Sequence, residues 1–355
     1  MPEETSRLDY IAIRRALLAW FRANARVLPW RGTGDPYAVW VSEIMLQQTQ
    51  IATVTPFYLR FIEAFPTVLH LAQAPLERVL ELWSGLGYYR RARHLHQAAQ
   101  NLAQHFGGRL PEEYASLRTL PGIGDYTAKA ILSIAFNQPY AVLDGNVARV
   151  AARLCCLRGN LHQPQFRRTV EAELDGLLSR REPGNFNQAL MELGQTICLP
   201  HGPHCSACPL AKWCGGYRTG DPEAFPLPRP RRAAESHCLA VGVLRRGTRV
   251  ALARGLADGL MDDLWNFPAA FGSTTEEALE SLRDKIRRLT RAPFVVGEPL
   301  AEFRHGITFR SIHGQVYPIE TQRSVRHSSL HWFELKELPR AAISQLARKI
   351  VQKIS

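Results

Sequence analysis

Four cysteines close together, Cys198, Cys205, Cys208 and Cys214, are the densest chemical signal in the chain; six, two and five residues separate them. No secretory segment is evident, and thiols at this density then point to a metal site rather than to disulfides. Four sulfurs without a regular histidine spacing nearby suit zinc or an iron–sulfur cluster. Zinc sites usually carry two separated Cys-x-x-Cys hooks. Here there is one, Cys205 to Cys208, with a single cysteine on either side, and that spacing favours a cubane cluster. Cys155, Cys156 and Cys238 stand outside the run.

Three further stretches could do chemistry. In LPGIGDYTAKAI, Leu120 to Ile131, a Pro-Gly-x-Gly turn opens a helix. Gly122 and Gly124 let the backbone approach a partner closely, and the first amides of the helix can hold a phosphate. This is either a sequence-independent DNA clamp or an ordinary helix–helix turn. In AVLDGNVARV, Ala141 to Val150, Asp144 precedes a helix and could simply cap it. In WVSEIMLQQTQI, Trp40 to Ile51, Glu43 stands among apolar residues. A desolvated carboxyl has a raised pKa and suits a general acid; the alternative is the solvated face of an amphipathic helix.

The elements that must position these groups are mostly helices. Apolar residues at helical spacing predict helices over 11–23, 39–49, 76–82, 90–106 and 126–135. Residues 215–235 carry four prolines, paired glycines and a basic stretch, and read as an exposed linker. Beyond it, two strands around an Arg-Gly turn, a helix over 275–289 and a strand over 309–317 predict a smaller α+β domain. The length of 355 residues allows two domains, and 46% hydrophobic content is that of a globular protein. No apolar run approaches a membrane span and no signal-peptide pattern is present, so a cytoplasmic, nucleoid-associated protein is expected. A net charge of +12 calls for a polyanionic partner, most often nucleic acid.

The clamp, the Asp-Gly-Asn turn and the four-cysteine loop come in the order found in the endonuclease III superfamily of base-excision glycosylases. Within that superfamily the chain resembles the adenine DNA glycosylases of the MutY type. The resemblance covers residues 8–214 and rests also on Leu28-Pro29-Trp30-Arg31, on Glu43 to Gln50, on Gly85-Leu86-Gly87-Tyr88-Tyr89 and on Phe186-Asn187-Gln188-Ala189. The C-terminal part resembles the family's Nudix-like domain more loosely. The implied fold is an all-α N-terminal helix-hairpin-helix glycosylase domain with an iron–sulfur loop, plus a C-terminal α+β Nudix-like domain. Its implied divisions are 1–214 (hairpin about 117–131, cluster loop 198–214), a linker at 215–235 and a lesion-recognition domain at 236–355. The implied reaction removes adenine opposite 8-oxoguanine or guanine from duplex DNA. Glu43 is then the acid that protonates the flipped adenine, Asp144 stabilises the oxocarbenium ion, and Asn146 and Tyr126 orient the two carboxyls. Arg26, Trp30, Arg31, Leu46 and Gln188 form the adenine pocket. Gln48, Leu86 and Tyr88 wedge into the duplex, and Gly122 and Gly124 clamp a phosphate. The resemblance implies one 4Fe-4S cluster on Cys198, Cys205, Cys208 and Cys214, room for a structural cation at the hairpin, and a monomer. Bifunctional relatives carry a lysine where this chain has Tyr126, so a monofunctional enzyme is expected.

The sequence departs from the family in two places. Residues 273–290 lack the acidic set that holds magnesium in Nudix hydrolases, so a recognition domain is expected rather than a pyrophosphatase. The family reads 8-oxoguanine with Phe-Ser-His on a C-terminal loop; the best match here is Phe303-Arg304-His305. Arginine only donates, and cannot accept the lesion's N7 proton. Either lesion discrimination is weakened, or Arg304 turns to a phosphate while Thr308 or Ser311 supplies a hydroxyl. A same-fold glycosylase for another mispair and a non-catalytic DNA-binding scaffold remain the alternatives.

Overall fold

The computed structural model describes residues 8–228, 235–256, 264–307, 310–321, 329–341 and 343–354. The chain divides into two compact units, Met1–Gln73 with His94–Pro230, and Ala74–Arg93 with Arg231–Ser355.

The helices run α1 (Tyr10–Asn24), α2 (Pro36–Leu46), α3 (Ile51–Ala64), α4 (Val68–Gln73), α5 (Leu76–Trp83), α6 (Arg90–His105), α7 (Tyr114–Arg118), α8 (Asp125–Ile134), α9 (Gly145–Leu154), α10 (Pro164–Leu177), α11 (Pro183–Thr196) and α12 (Gly215–Arg218). Their starts are written in the sequence. Asp35 accepts from the Tyr37 amide at 2.9 Å with Pro36 in the first turn, and Asp144 accepts from the Val147 amide at 2.7 Å. Leu17 and Phe21 of α1, Val147 and Ala151 of α9, Val170 and Leu174 of α10, and Phe186 and Leu190 of α11 share one buried core. α2 is different: every residue from Tyr37 to Met45 is buried, so it has no solvated face. The turn before α8 needs glycine at Gly122, where φ is +79° and an added Cβ would lie 2.7 Å from His94 Cβ. α11 approaches α8 so closely that a Cβ at Gly184 would lie 2.5 Å from the Ser133 carbonyl oxygen.

Composition alone reads 215–235 as exposed, but its first half is ordered. Gly215 and Gly216 are buried in α12, Phe225 is buried in the helical core, and Arg153 Nε donates to the Phe225 carbonyl at 3.1 Å. One aromatic side chain with a core vacancy to fill outweighs the proline-rich composition around it.

In the second unit the strands are β1 (Glu235–Arg246), β2 (Arg249–Arg254), β3 (Trp265–Asn266), β4 (Ala269–Gly272), β5 (Phe294–Val296), β6 (Ala301–Ile307), β7 (Arg310–Thr321) and β8 (Leu330–Glu334). β1 runs parallel to β7, and the other pairs are antiparallel. Helix α13 (Thr275–Thr290) covers one face of the sheet through Ala278, Leu282 and Ile286, and α14 (Gln345–Ile354) covers the other through Leu346 and Ile350. Cover on both faces explains why six consecutive residues of β1 are buried rather than every second one. The N-terminal residues 1–7 and Thr308 lie outside the described residues.

The close approach at Gly184 carries a prediction. Gly184→Ala forces a methyl against backbone and destabilises the protein by about 1–3 kcal/mol. Thermal unfolding should show a lower Tm. An unchanged Tm would contradict the packing described for α8 and α11.

Candidate active site

A cavity of about 850 Å³ opens between the end of α2, the start of α8, the start of α9 and the end of α11. Glu43, Leu46, Gln48, Tyr126, Asp144, Asn146 and Arg26 all line it. A smaller recess of about 50 Å³ adjoins it through Glu43, Leu46 and Met191, and is lined also by Trp30, Arg31 and Gln188. Ten residues singled out from the sequence thus meet around one cleft, although they span 26 to 188 in the chain.

Glu43 is the chemical centre. It is 7% exposed, and its carboxyl pKa is pushed up to about 7. Burial is the main cause; a hydrogen bond with Tyr126 works against it, and the nearby Asp144 charge adds to it. The Tyr126 hydroxyl lies 3.3 Å from Met191 Sδ as its donor. It can therefore accept from Glu43 when that carboxyl is protonated, or turn its proton to the carboxylate when it is not. Burial, and then the charge of Glu43, keep Tyr126 itself well above the ordinary phenol range, so it stays a neutral hydroxyl.

Asp144 does cap α9, but only with one oxygen. Its second oxygen accepts from Asn146 Nδ2 at 3.1 Å, at the cleft. Asn146 is itself held: Arg149 donates to its Oδ1 at 2.9 Å, and to the Gly194 and Cys198 carbonyls at 2.8 Å each. One turn further along α9, Arg153 donates to Cys198 Sγ at 3.4 Å and to the Leu199 and Pro200 carbonyls at 2.6 and 2.9 Å. The helix thus joins the carboxylate that caps its start to the cysteine loop at its last turn.

Glu192 is absent from the sequence reading. It is 2% exposed and takes bonds from Arg26 Nε at 2.5 Å and Arg31 at 3.0 Å, while Arg31 Nε also donates to Gln188 Oε1 at 3.1 Å. Burial alone would raise its pKa, but the bonds from both arginines outweigh it and hold the carboxyl below its ordinary range. The two pocket arginines are therefore clamped as a rigid wall. The available signal was the spacing Gln188, Glu192, Gln195 on one face of α11. Lys129 points elsewhere, paired with Asp125 at 3.1 Å.

Gln48 (φ 56°) and Tyr88 (φ 50°) are two of five non-glycine residues in left-handed backbone among the described residues, a strain that clusters at functional positions. Tyr88, in the second unit, is 51% exposed while Leu86 is buried. Phe303, Arg304 and His305 lie not in a loop but in β6, paired with β7, so neighbouring side chains alternate. Phe303 is 6% exposed and joins the core, Arg304 is exposed, and burial with the Lys349 charge holds His305 below its usual pKa. Gly124 is the N-cap of α8 in extended backbone, ahead of free helix amides.

The four cysteines are free thiols, and Cys208 feels Cys198, Cys214 and Cys205 as electrostatic neighbours while burial drives its own pKa up to about 12. Among the described residues no three His, Cys, Asp or Glu side chains gather tightly enough to grip a bare ion. Nor is any described helix long and apolar enough to cross a membrane.

Residues 41–175 match the model of the HhH-GPD superfamily of base excision DNA repair proteins, and residues 240–353 match that of the NUDIX domain. Among solved structures, a thermostable thymine-DNA glycosylase aligns with a TM-score of 0.53 at 25% identity, over 59% of this chain and 97% of that one. The fold is that of a helix-hairpin-helix base-excision repair protein with a Nudix-like domain attached. The adenine DNA glycosylase of Homo sapiens is 32% identical over 406 residues, 96% of this chain and 74% of that one. That of Buchnera aphidicola subsp. Baizongia pistaciae is 42% identical over 204 residues, 57% of this chain and 58% of that one. The chain belongs to the adenine DNA glycosylase family.

Burying Glu43 opposes folding once the carboxyl ionises. Its pKa rises from 4.5 to about 7 on folding, so stability falls as pH climbs through that window and the loss is complete above it. Glu43→Gln removes a cost of roughly 3 kcal/mol at alkaline pH. Its Tm should exceed that of wild type at pH 8 and the difference should shrink toward pH 5. A gap independent of pH would show that Glu43 is not the buried titrating group.

Proposed function

We propose that the protein excises adenine paired with 8-oxoguanine or guanine in duplex DNA, by acid-assisted hydrolysis and without cutting the strand. The observation that carries this is the buried Glu43 carboxyl, half protonated near neutral pH, sharing a cleft with Asp144. Adenine must leave the stack to reach such a cleft. Glu43 donates its proton to adenine N7, which makes the base a better leaving group. The C1′–N9 bond breaks, and the negative Asp144, fixed by the Val147 amide and Asn146, faces the positive sugar. Water then adds at C1′ and yields its proton to a carboxylate. Trp30, Arg31, Leu46 and Gln188 form the wall for the base, with Arg26 at its mouth. Tyr126 stands where an amine would make a Schiff base, and a phenol cannot.

Around this chemistry we assign residues 1–214 to excision and 236–355 to lesion reading, with a monomer working in the cytoplasm at the nucleoid. Gly122 and Gly124 take a phosphate. Cys198, Cys205, Cys208 and Cys214 fit one 4Fe-4S cluster by their chemistry: four unoxidised thiols, one with Arg153 on its sulfur. The cluster when bound supplies bracing for the loop, and the chemistry of excision runs through other residues.

Single-turnover assays on an adenine·8-oxoguanine duplex test the reading. Strand cleavage should appear only after alkali, and Glu43→Gln should lower the rate by about a hundredfold to ten-thousandfold. The wild-type rate should fall as pH rises through about 7, because the acid is lost. Full activity in Glu43→Gln removes the assignment.

Arg304 sets a second expectation. An exposed donor suits guanine N7 and O6 better than the lesion's N7–H, so wild type should discriminate weakly between 8-oxoguanine and guanine. Arg304→Ser should increase the preference for the lesion. Equal preference in both proteins would place Arg304 on a phosphate instead.

A further inference from the structure

Tyr88 is an exposed aromatic ring on a turn whose backbone is costly to hold. Gly85 (φ 108°), Gly87 (φ 79°) and Tyr88 (φ 50°) put three of four consecutive residues in positive-φ backbone, and for Tyr88 that carries a steric penalty. Part of the hold is local. Trp83 Nε1 and Arg91 donate to the Gly87 carbonyl at 3.0 and 3.1 Å, and the Arg91 guanidinium lies 5.3 Å from the centre of the Tyr88 ring.

The rest comes from α14, a helix distant in sequence but in the same compact unit. Its first residue, Gln345, donates to the Gly85 carbonyl at 3.1 Å, and Arg348 donates to the Ser84 hydroxyl at 2.5 Å. The Ala341 carbonyl accepts from both Ser84 and Arg348, which closes the contact. The next residue, Lys349, donates to the Arg304 carbonyl of β6 at 2.7 Å. Gln345, Arg348 and Lys349 follow the spacing i, i+3, i+4 and share one face of the helix. The opposite face buries Leu346, Ala347 and Ile350 in the sheet core. A helix anchored in the core thus touches both the turn that carries Tyr88 and the strand that carries Arg304.

We infer that α14 is the common mount of two groups that probe the duplex, and that Arg348 is its positioning residue. The bond from Arg348 to Ser84 fixes the turn, so that Tyr88 enters the base stack at a set place relative to Arg304. Unstacking a base step costs free energy, and a ring on a loose turn would swing aside rather than enter. A charged donor shared between the Ser84 hydroxyl and the Ala341 carbonyl removes that freedom. Arg348 acts through Ser84 and needs no contact with DNA. The inference rests on the reading of the protein as a DNA glycosylase with Tyr88 as its wedge.

The test uses the full chain with Glu43→Gln, which keeps the adenine uncut. The probe is a duplex with adenine opposite 8-oxoguanine and 2-aminopurine beside the 8-oxoguanine; its fluorescence rises when that stack opens. Ser84→Ala and Arg348→Ala remove the two sides of one bond. Each should lose most of the fluorescence rise and weaken binding by about three- to tenfold. Added to Tyr88→Ala, either should weaken binding no further, because both act through Tyr88. A full fluorescence rise in the two variants, or losses that add to that of Tyr88→Ala, overturns the mount alone. If Arg348→Ala does not fold, Ser84→Ala gives the same decision. A rise that survives Tyr88→Ala removes the wedge reading and the mount with it. A chain with Glu43 intact that leaves adenine in place removes the glycosylase reading.

Discussion

The desolvation of one carboxyl group organises the catalytic unit. Water would hold Glu43 ionised and useless as an acid at neutral pH. Removing it requires a helix buried on every side, which α2 is, from Tyr37 to Met45. Such a helix must be enclosed by neighbours, and α8 and α11 are drawn in until glycine is the only residue that fits at 184. The packing that shifts the pKa is thus the same packing that shapes the cleft. Destabilisation from the buried acid is a cost that the surrounding core offsets.

α9 adds a second constraint. Its capping residue is also the second carboxylate, so the geometry of Asp144 is tied to the integrity of the helix. Arg149 and Arg153, one turn apart, fasten the same helix to the backbone of the cysteine loop. Bracing that loop therefore bears on the active site through a chain of hydrogen bonds, with no chemistry at the cysteines needed. The Arg26–Glu192–Arg31 arrangement does the same for the recess beside Glu43: charges fixed by one another do not rearrange when a ligand enters.

Much of this was legible in the residues. Helix spans could be read within a few positions because a cap such as Asp144 and the apolar period are local signals. The hairpin of β1 and β2 was marked by its Arg-Gly turn. Other features were hidden because they depend on distant partners. Phe225 is anchored in a segment whose composition reads as linker, and Glu192 looks like any surface glutamate until α1 and the following loop bring two arginines to it. The triplet at 303–305 reads as a loop, yet the backbone pairing of β6 with β7 turns Phe303 into the core and leaves Arg304 outside.

Residue identity alone determined which groups could do chemistry: two carboxyls, four clustered thiols, a tyrosine in place of an amine, an arginine in place of a hydroxyl. Those are properties of side chains and their order, and they persist in the unfolded chain. The tertiary structure decided what state each group is in. A pKa near 7 at Glu43 and the clamp of Arg26 and Arg31 on Glu192 arise from burial and contact between segments far apart in sequence. Dielectric environment and steric exclusion exist only once the chain has closed around them.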